Sequence, residues 1–328
     1  MKCIPAILLM FLCALDFCAL AQPSPSPVLP DFEQAFEGLS SNPSCTFILK
    51  NHLEYEAEGG HLQGIQRHGK STLFMSGSAE LVSYMVLADL SSEQTMAIDT
   101  LMGSPFRHAG GFQIFDHYLA VGIEDNQKRN VSVVQIYDLN TRKPWSNPVY
   151  SVKRTGEYER VTAGAVGLTA YRQKIWLLVA NWDSKNLDIY SCPEADFYRR
   201  TGDFTLEISI DTGTELRSSW SDPDWHSYQN INLFTDQKDK LYLVGTTKIN
   251  GEKQVADLYQ LILENSPARI RKLSSKFFYP GKPVDFKAAA GLVVRADGYL
   301  ELLAAPYQVD AETRVDVFSQ SHSPANCQ

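Results

Sequence analysis

The sequence predicts an all-β fold, a five-bladed β-propeller of four-stranded blades, with the ring closed by an N-terminal strand (Cys45–Lys50) that completes the last blade. Three observations carry this expectation. A short element of small residues opening an alternating apolar run recurs about every fifty to sixty-five residues. Each copy is followed by a polar turn and further runs rich in β-branched and aromatic residues. Past the N-terminal apolar stretch, no ten-residue window shows a helical stripe, apart from a short turn near 32–39.

The recurring element reads His61-Leu62-Gln63-Gly64-Ile65, then His108-Ala109-Gly110-Gly111-Phe112, Thr162-Ala163-Gly164-Ala165-Val166, Tyr228-Gln229-Asn230-Ile231 and Ala289-Ala290-Gly291-Leu292. Innermost strands of all blades converge on one axis, so bulky side chains there would collide. Blades are expected near 61–106, 107–160, 161–224, 225–285 and 286–320. The fifth has only three strands, and Cys45-Thr46-Phe47-Ile48-Leu49-Lys50 is free to supply its outer one, removing an exposed edge. The alternatives are a sandwich or a set of unrelated hairpins.

The chain has 328 residues with a net charge of -8 and a pI near 5.4. An acidic balance argues against a nucleic-acid partner, because phosphate binding needs clustered cations. Lys2, an apolar stretch over 4–15 and Ala19-Leu20-Ala21 read as a signal peptide over 1–21. Pro23, Pro25, Pro27 and Pro30 would end a buried helix at once. Lipidation at Cys18 is disfavoured, since it follows Asp16-Phe17. The expected address is therefore secreted, or periplasmic in a Gram-negative bacterium, and the chain is expected to be monomeric. Residues 22–44 read as a proline-rich, extended spacer ahead of one domain over 45–328. No later run approaches the length of a membrane span.

Secretion leaves Cys45, Cys192 and Cys327. Antiparallel pairing of the first strand with the last brings Cys327 near Cys45, so a Cys45–Cys327 disulfide is expected to close the ring, with Cys192 free and buried. Asn130-Val131-Ser132 is an N-glycosylation sequon.

Loops leading into the inner strands and loops between second and third strands open on one face, where propellers take ligands. The leading segments offer His61, Arg107, His108, Glu159, Arg160, Thr162, Asp222, Asp224, Trp225, His226, Asp285 and Lys287. The second loops offer Ser76-Gly77-Ser78, Glu124-Asp125-Asn126, Asn181-Trp182-Asp183 and Pro306-Tyr307. His61, His108 and His226 hold nearly equivalent positions in three blades. They are candidates to hold zinc or another divalent cation, to act as acid/base groups, or to bind an anion. A histidine there equally serves to hydrogen-bond neighbouring backbone. Glu159 with Asp222, Asp224 and Asp285 offers carboxylates for sugar hydrolysis or calcium. Trp182 and Trp225 offer a platform for a sugar ring or simple core packing. His68, Asp116, His117 and Asp239 fall on the opposite face. No G-x-S-x-G, H-E-x-x-H, P-loop or G-x-G-x-x-G motif is present.

The segment HAGGFQIFDHYLAVGIEDNQKRNVSVVQIYDL (108–139) resembles secreted, largely uncharacterised propeller-like proteins that repeat H-x-G-G followed by L-A-V. A five-bladed architecture is similar to that of arabinanase-type furanosidases, calcium-dependent apyrases and tachylectin-like lectins. The furanosidases place an Asp on the first inner strand, where this chain has His61. The lectins have near-identical blades, and these have diverged. Fold analogy alone does not give function.

Three functions follow as expectations. The first is binding of a small molecule, glycan or partner protein at the channel mouth, through His61, His108, Thr162, Trp182, Asp224, His226 and Lys287. The second is an extracellular metal-dependent hydrolase of an ester, phosphoester or glycoside, with His61, His108, His226 and Glu159 as catalytic candidates. The third is a structural ring without a small ligand. Unequal blades favour one asymmetric site.

Overall fold

The structure is a computed structural model and describes residues 27–53, 60–212, 225–264 and 268–320. It opens with helix α1 (Phe32–Glu37) and strand β1 (Cys45–Lys50). The first blade follows as β2 (His61–His68), β3 (Thr72–Ser78), β4 (Val82–Asp89) and β5 (Gln94–Gly103), and the second as β6 (His108–Phe115), β7 (Tyr118–Glu124), β8 (Val131–Asp138) and β9 (Tyr150–Thr155). The third contains β10 (Ala165–Tyr171), β11 (Lys174–Ala180), β12 (Asn186–Pro193), helix α2 (Glu194–Arg199) and β13 (Thr205–Asp211). The fourth is β14 (Asn230–Thr235), β15 (Leu241–Ile249), β16 (Lys253–Ile262) and β17 (Arg269–Phe278). β18 (Ala289–Val294), β19 (Leu300–Ala305) and β20 (Glu312–Ser319) complete the chain.

Within each unit the strands pair antiparallel in sequence order, so the described residues form a β-propeller of five four-stranded sheets. The expected closure is present. β1 pairs antiparallel with β20, from Cys45 opposite Val317 to Lys50 opposite Glu312. Inner strands of neighbouring blades touch in parallel, at Ala290 opposite Gly64 and Ala165 opposite Gly111.

The core is divided among the seams between consecutive blades. Phe74, Met85, Phe112 and Val121 fill the seam between the first and second. Tyr118, Val134, Val166 and Leu177 fill the next, and Trp176, Leu178, Leu233 and Leu243 the third. Val244, Leu258, Leu292 and Leu302 pack between the fourth and fifth. Leu49, Ile65, Met75 and Leu303 join the fifth to the first. This follows from the two-residue period, which gives each sheet two apolar faces to bury.

The segment expected as a spacer over 22–44 is, from Leu29 onward, part of this core. Asp31 caps α1 by accepting the amide of Gln34 at 3.0 Å. Phe32 and Phe36, four residues apart and therefore on one helix face, are fully buried against the fourth and fifth blades. Phe32 stacks on Phe234 and Tyr242 with ring centroids 4.7 and 5.1 Å apart. Burial of two phenylalanines at roughly 1.5–3 kcal/mol each makes the segment a brace rather than a tether.

Small residues do sit where the inner strands crowd. A Cβ on Gly111 would lie 2.5 Å from both the carbonyl oxygen of Gln229 and Oδ1 of Asn230. The bore, however, is filled by amide side chains, which corrects the expectation of a lining of tiny residues only. Gln66 donates to the carbonyl of Leu292 at 2.7 Å. Gln113 donates to the carbonyl of Leu233 at 2.7 Å and accepts the amides of Leu168 at 3.0 Å and Leu233 at 2.7 Å. Asn232 accepts the amide of Leu292 at 2.9 Å, and Asn230 donates to the carbonyl of Gln63 at 2.7 Å. An inner strand has a second strand on one side only, so its free backbone groups need partners. These amides supply them across blades.

Cys192 is free and buried. Cys45 is disulfide-bonded. Its expected partner Cys327 lies outside the described residues, as do the signal segment 1–21, Asp222 and Asp224. Asn130 is exposed. No helix among the described residues is long and apolar enough to cross a membrane.

Candidate functional site at the propeller mouth

A cavity of about 450 Å³ opens where the leading segments of the inner strands meet. His61, His108, Trp182 and Lys287 line it together, joined by Gln63, Asn126, Asn181, Asp183, Tyr228, Gln229, Asp285 and Tyr307.

His61 starts β2 and lies parallel on Tyr307, with centroids 4.8 Å apart and planes 5° from coplanar. Its ring is 5.4 Å from that of His108. Ser78 Oγ lies 3.3 Å from its Nδ1. Burial, and second the neighbouring His108, push His61 down to about 4, so it is a neutral imidazole at pH 7.

Behind these rings is Glu124, the last residue of β7, with no exposed surface. It accepts the indole N–H of Trp182 and the backbone amide of Ala163. His108 Nδ1 stands 3.1 Å from Glu124 Oε1, yet the angle does not make a hydrogen bond, so the contact is electrostatic. Trp182 is further fixed by its own amide, which donates to Thr162 Oγ1 at 2.9 Å. The guanidinium of Arg129 lies 3.8 Å above its ring, a cation–π contact.

The turn holding Trp182 is strained. Asp183 and Ser184 have φ of 58° and 52°, a region that costs non-glycine residues free energy. Surrounding bonds hold it. Ser227 donates to Asp183 Oδ1 at 2.7 Å, Ser184 donates to the carbonyl of Tyr228 at 3.0 Å, and the Trp225 indole donates to the carbonyl of Ser184 at 2.8 Å. Trp225 is therefore a buried support for the turn, not a platform.

Other expected site residues are placed elsewhere. Thr162 is fully buried; it donates to the carbonyl of Glu159 and accepts Trp182, which makes it a positioning residue. Glu159 pairs with Arg129 at 2.5 Å outside the cavity lining. His226 does not join His61 and His108. It lines a separate cavity with Lys272 and Ser275, its Nε2 3.8 Å from Asp257. The reason is that Tyr228 takes the inner position in the fourth blade, its hydroxyl donating to Asp257 at 2.6 Å. The three-histidine set proposed for zinc or another cation is thus not assembled. Among the described residues no group of three or more His, Cys, Asp or Glu is arranged to hold a metal ion.

Asp183 and Asp285 are the carboxylates lining the cavity among the described residues, and each has a cation beside it. Asp183 lies 3.4 Å from Lys185, and Asp285 is paired with Lys248. His68, Asp116 and His117 line a different cavity, of about 540 Å³.

The sequence places Glu124 in a loop between second and third strands and does not mark its central role. The signal available was a carboxylate closing the apolar run Tyr118-Leu119-Ala120-Val121, where an acidic residue demands a partner.

No protein-family model matches the chain, and no curated protein matches it in sequence. Solved structures do match in fold. One is the α-L-arabinofuranosidase of Podospora anserina in complex with cellotriose, at TM-score 0.51 and 8% identity, covering 85% of this chain and 98% of that one. The exo-β-1,3-galactanase of Phanerochaete chrysosporium with galactose has TM-score 0.48 and 9% identity over 87% of this chain and 65% of that one. A bifunctional GH43-CE protein of Bacteroides eggerthii has TM-score 0.45 and 13% identity over 85% of this chain. The chain spans about a third, 34%, of that last protein's length. At such identities the likeness concerns the fold. The fold and the mouth define a β-propeller with a ligand-sized cavity at one end of its axis.

Proposed function

We propose that the protein is a secreted propeller that binds a carbohydrate in the cavity lined by His61, His108, Trp182 and Tyr307. One observation carries this reading. The wall combines aromatic rings with uncharged hydrogen-bonding groups, Gln63, Asn126, Asn181 and Gln229, while the two lining carboxylates among the described residues, Asp183 and Asp285, each have a lysine beside them. Rings suit the apolar face of a sugar and amides suit its hydroxyls. Tyr307, 55% exposed, has one face on His61 and offers the other to a ligand. The propeller of similar fold from Podospora anserina holds cellotriose, which supports the ligand class. The expected signal peptide, the sequon at Asn130 and the Cys45–Cys327 pairing fit an extracellular address.

Glycoside hydrolysis canonically uses two carboxyl groups that flank the scissile bond. Among the described residues the cavity's carboxylates, Asp183 and Asp285, each have a lysine beside them, and Glu124 is sealed behind Trp182. The observation favouring a hydrolase is the buried His108–Glu124 couple. Calorimetric titration of the purified mature chain with cello-, xylo- and β-1,3-galacto-oligosaccharides separates the readings. Binding without cleavage, weakened by Tyr307→Ala, is the expected result. Release of reducing sugar, abolished by Glu124→Gln, would establish the hydrolase instead.

A further inference from the structure

The ring contacts of the cavity continue past its edge. Tyr307 stacks on His61, His61 lies against His108, and His108 meets Trp182 edge-on at 5.7 Å. Beyond the cavity lining, Arg129 covers Trp182 at 3.8 Å and stands 5.6 Å from the ring of Tyr158. Tyr158 is 63% exposed. A ligand confined to the cavity would have no use for it.

The backbone at this rim gives a second, independent observation. Eleven described non-glycine residues have positive φ, and four cluster here: Arg129 (53°), Glu159 (60°), Asp183 and Ser184. Arg129 and Glu159 hold one another. The amide of Glu159 donates to the carbonyl of Arg129 at 2.8 Å, and their side chains pair. Strain of this kind persists where surrounding structure over-determines it, and it gathers at ligand clamps. Here it fixes Arg129 between Trp182 and Tyr158.

We propose that the ligand is a chain of sugar units rather than a single one, seated in the cavity at Tyr307 and leaving it over Trp182, Arg129 and Tyr158. This rests on the carbohydrate reading above. Arg129 would donate to hydroxyls of a unit outside the cavity, and Tyr158 would carry its apolar face.

The test is the dependence of affinity on chain length. The probes are one- to six-unit ladders of cello-, xylo- and β-1,3-galacto-oligosaccharides, titrated against wild type, Tyr158→Ala and the exposed control Tyr279→Ala. In the ladder that binds, affinity is expected to rise about tenfold or more from one unit to six. Tyr158→Ala should lose about tenfold on the six-unit chain, the scale of one aromatic contact, and flatten the ladder. Tyr279→Ala should leave it unchanged. Equal affinity for one and six units, or equal weakening of every length by Tyr158→Ala, overturns the chain and leaves the carbohydrate reading standing. If no ladder binds at any length, both fall.

Discussion

The indole N–H of Trp182 donates to the carboxylate of Glu124, a residue 58 positions earlier with no exposed surface. The same carboxylate accepts the amide of Ala163 and faces His108. One buried acid therefore sets the wall of the cavity from three directions. Replacing Glu124 with Ala should orphan the buried amide of Ala163, at about 1–3 kcal/mol, and release the half-buried indole N–H of Trp182. The expected result is a melting temperature lowered by several degrees, a changed Trp182 environment in near-ultraviolet circular dichroism, and loss of oligosaccharide binding. An unchanged near-ultraviolet spectrum would show that Glu124 does not hold Trp182.

His61 makes stability depend on pH in a defined window. Its folded pKa, near 4, lies below the ordinary 6.5 because burial and then His108 disfavour its charged form. As pH falls, the unfolded chain takes up the proton first. The contribution of His61 is thus whole above pH 6.5 and is lost as pH falls towards 4, at no more than about 1.4 kcal/mol per unit for one group. Asp188 acts in a lower window. Burial raises it, but hydrogen bonds from Arg160, Ser209 and Arg154 outweigh that and bring it to about 2, so its contribution is lost only as pH falls from 3.8 towards 2. Melting curves between pH 7.5 and 4.5 should fall less steeply for His61→Gln than for wild type. Equal slopes would contradict the neutral, half-buried imidazole.

The axis gives a prediction with an internal control. Gln113→Leu should orphan the amides of Leu168 and Leu233 and the carbonyl of Leu233, costing several kcal/mol on the scale of about 1–3 per buried group. Gly111→Ala should be similarly harmful, because its Cβ meets backbone at 2.5 Å. Gly103→Ala, with nothing within 4 Å, should be near neutral. Chemical denaturation of the three variants checks this, and equal stability of all three would contradict the packed axis.

Much of this fold is legible in the sequence because its physics is local. Alternating strands, polar turns and small residues at the converging inner strands mark each blade, and the unpaired strand at Cys45–Lys50 marks the closure. The mouth follows from topology, which is how His61, His108, Trp182 and Lys287 come to share a cavity. Other features depend on partners far away in the chain. Gln66, Gln113 and Asn232 look like ordinary strand polar residues until the ring sets them beside other blades. His226 is misplaced because the element that opens the fourth blade, Tyr228-Gln229-Asn230-Ile231, carries no glycine to fix its register, and Tyr228 takes the inner position. The burial of Phe32 and Phe36 was hidden by a helix of six residues beside a proline-rich run.

The ring closure predicts a thiol count. If Cys327 pairs with Cys45, the unfolded, unreduced mature chain should titrate one thiol, that of Cys192. Cys327→Ser should be destabilised by more than about 4 kcal/mol by the loop-entropy relation. Two further reactive thiols in the unreduced chain would contradict the pairing.

The most direct measurement is a crystal structure of the protein with a bound oligosaccharide from the ladder that titrates. A sugar ring is expected on the exposed face of Tyr307, with hydroxyls on Gln63, Asn126, Asn181 or Gln229 and the chain running towards Tyr158. Sugar density at the cavity of His68 and His117, or an empty mouth at saturating concentration, would contradict it.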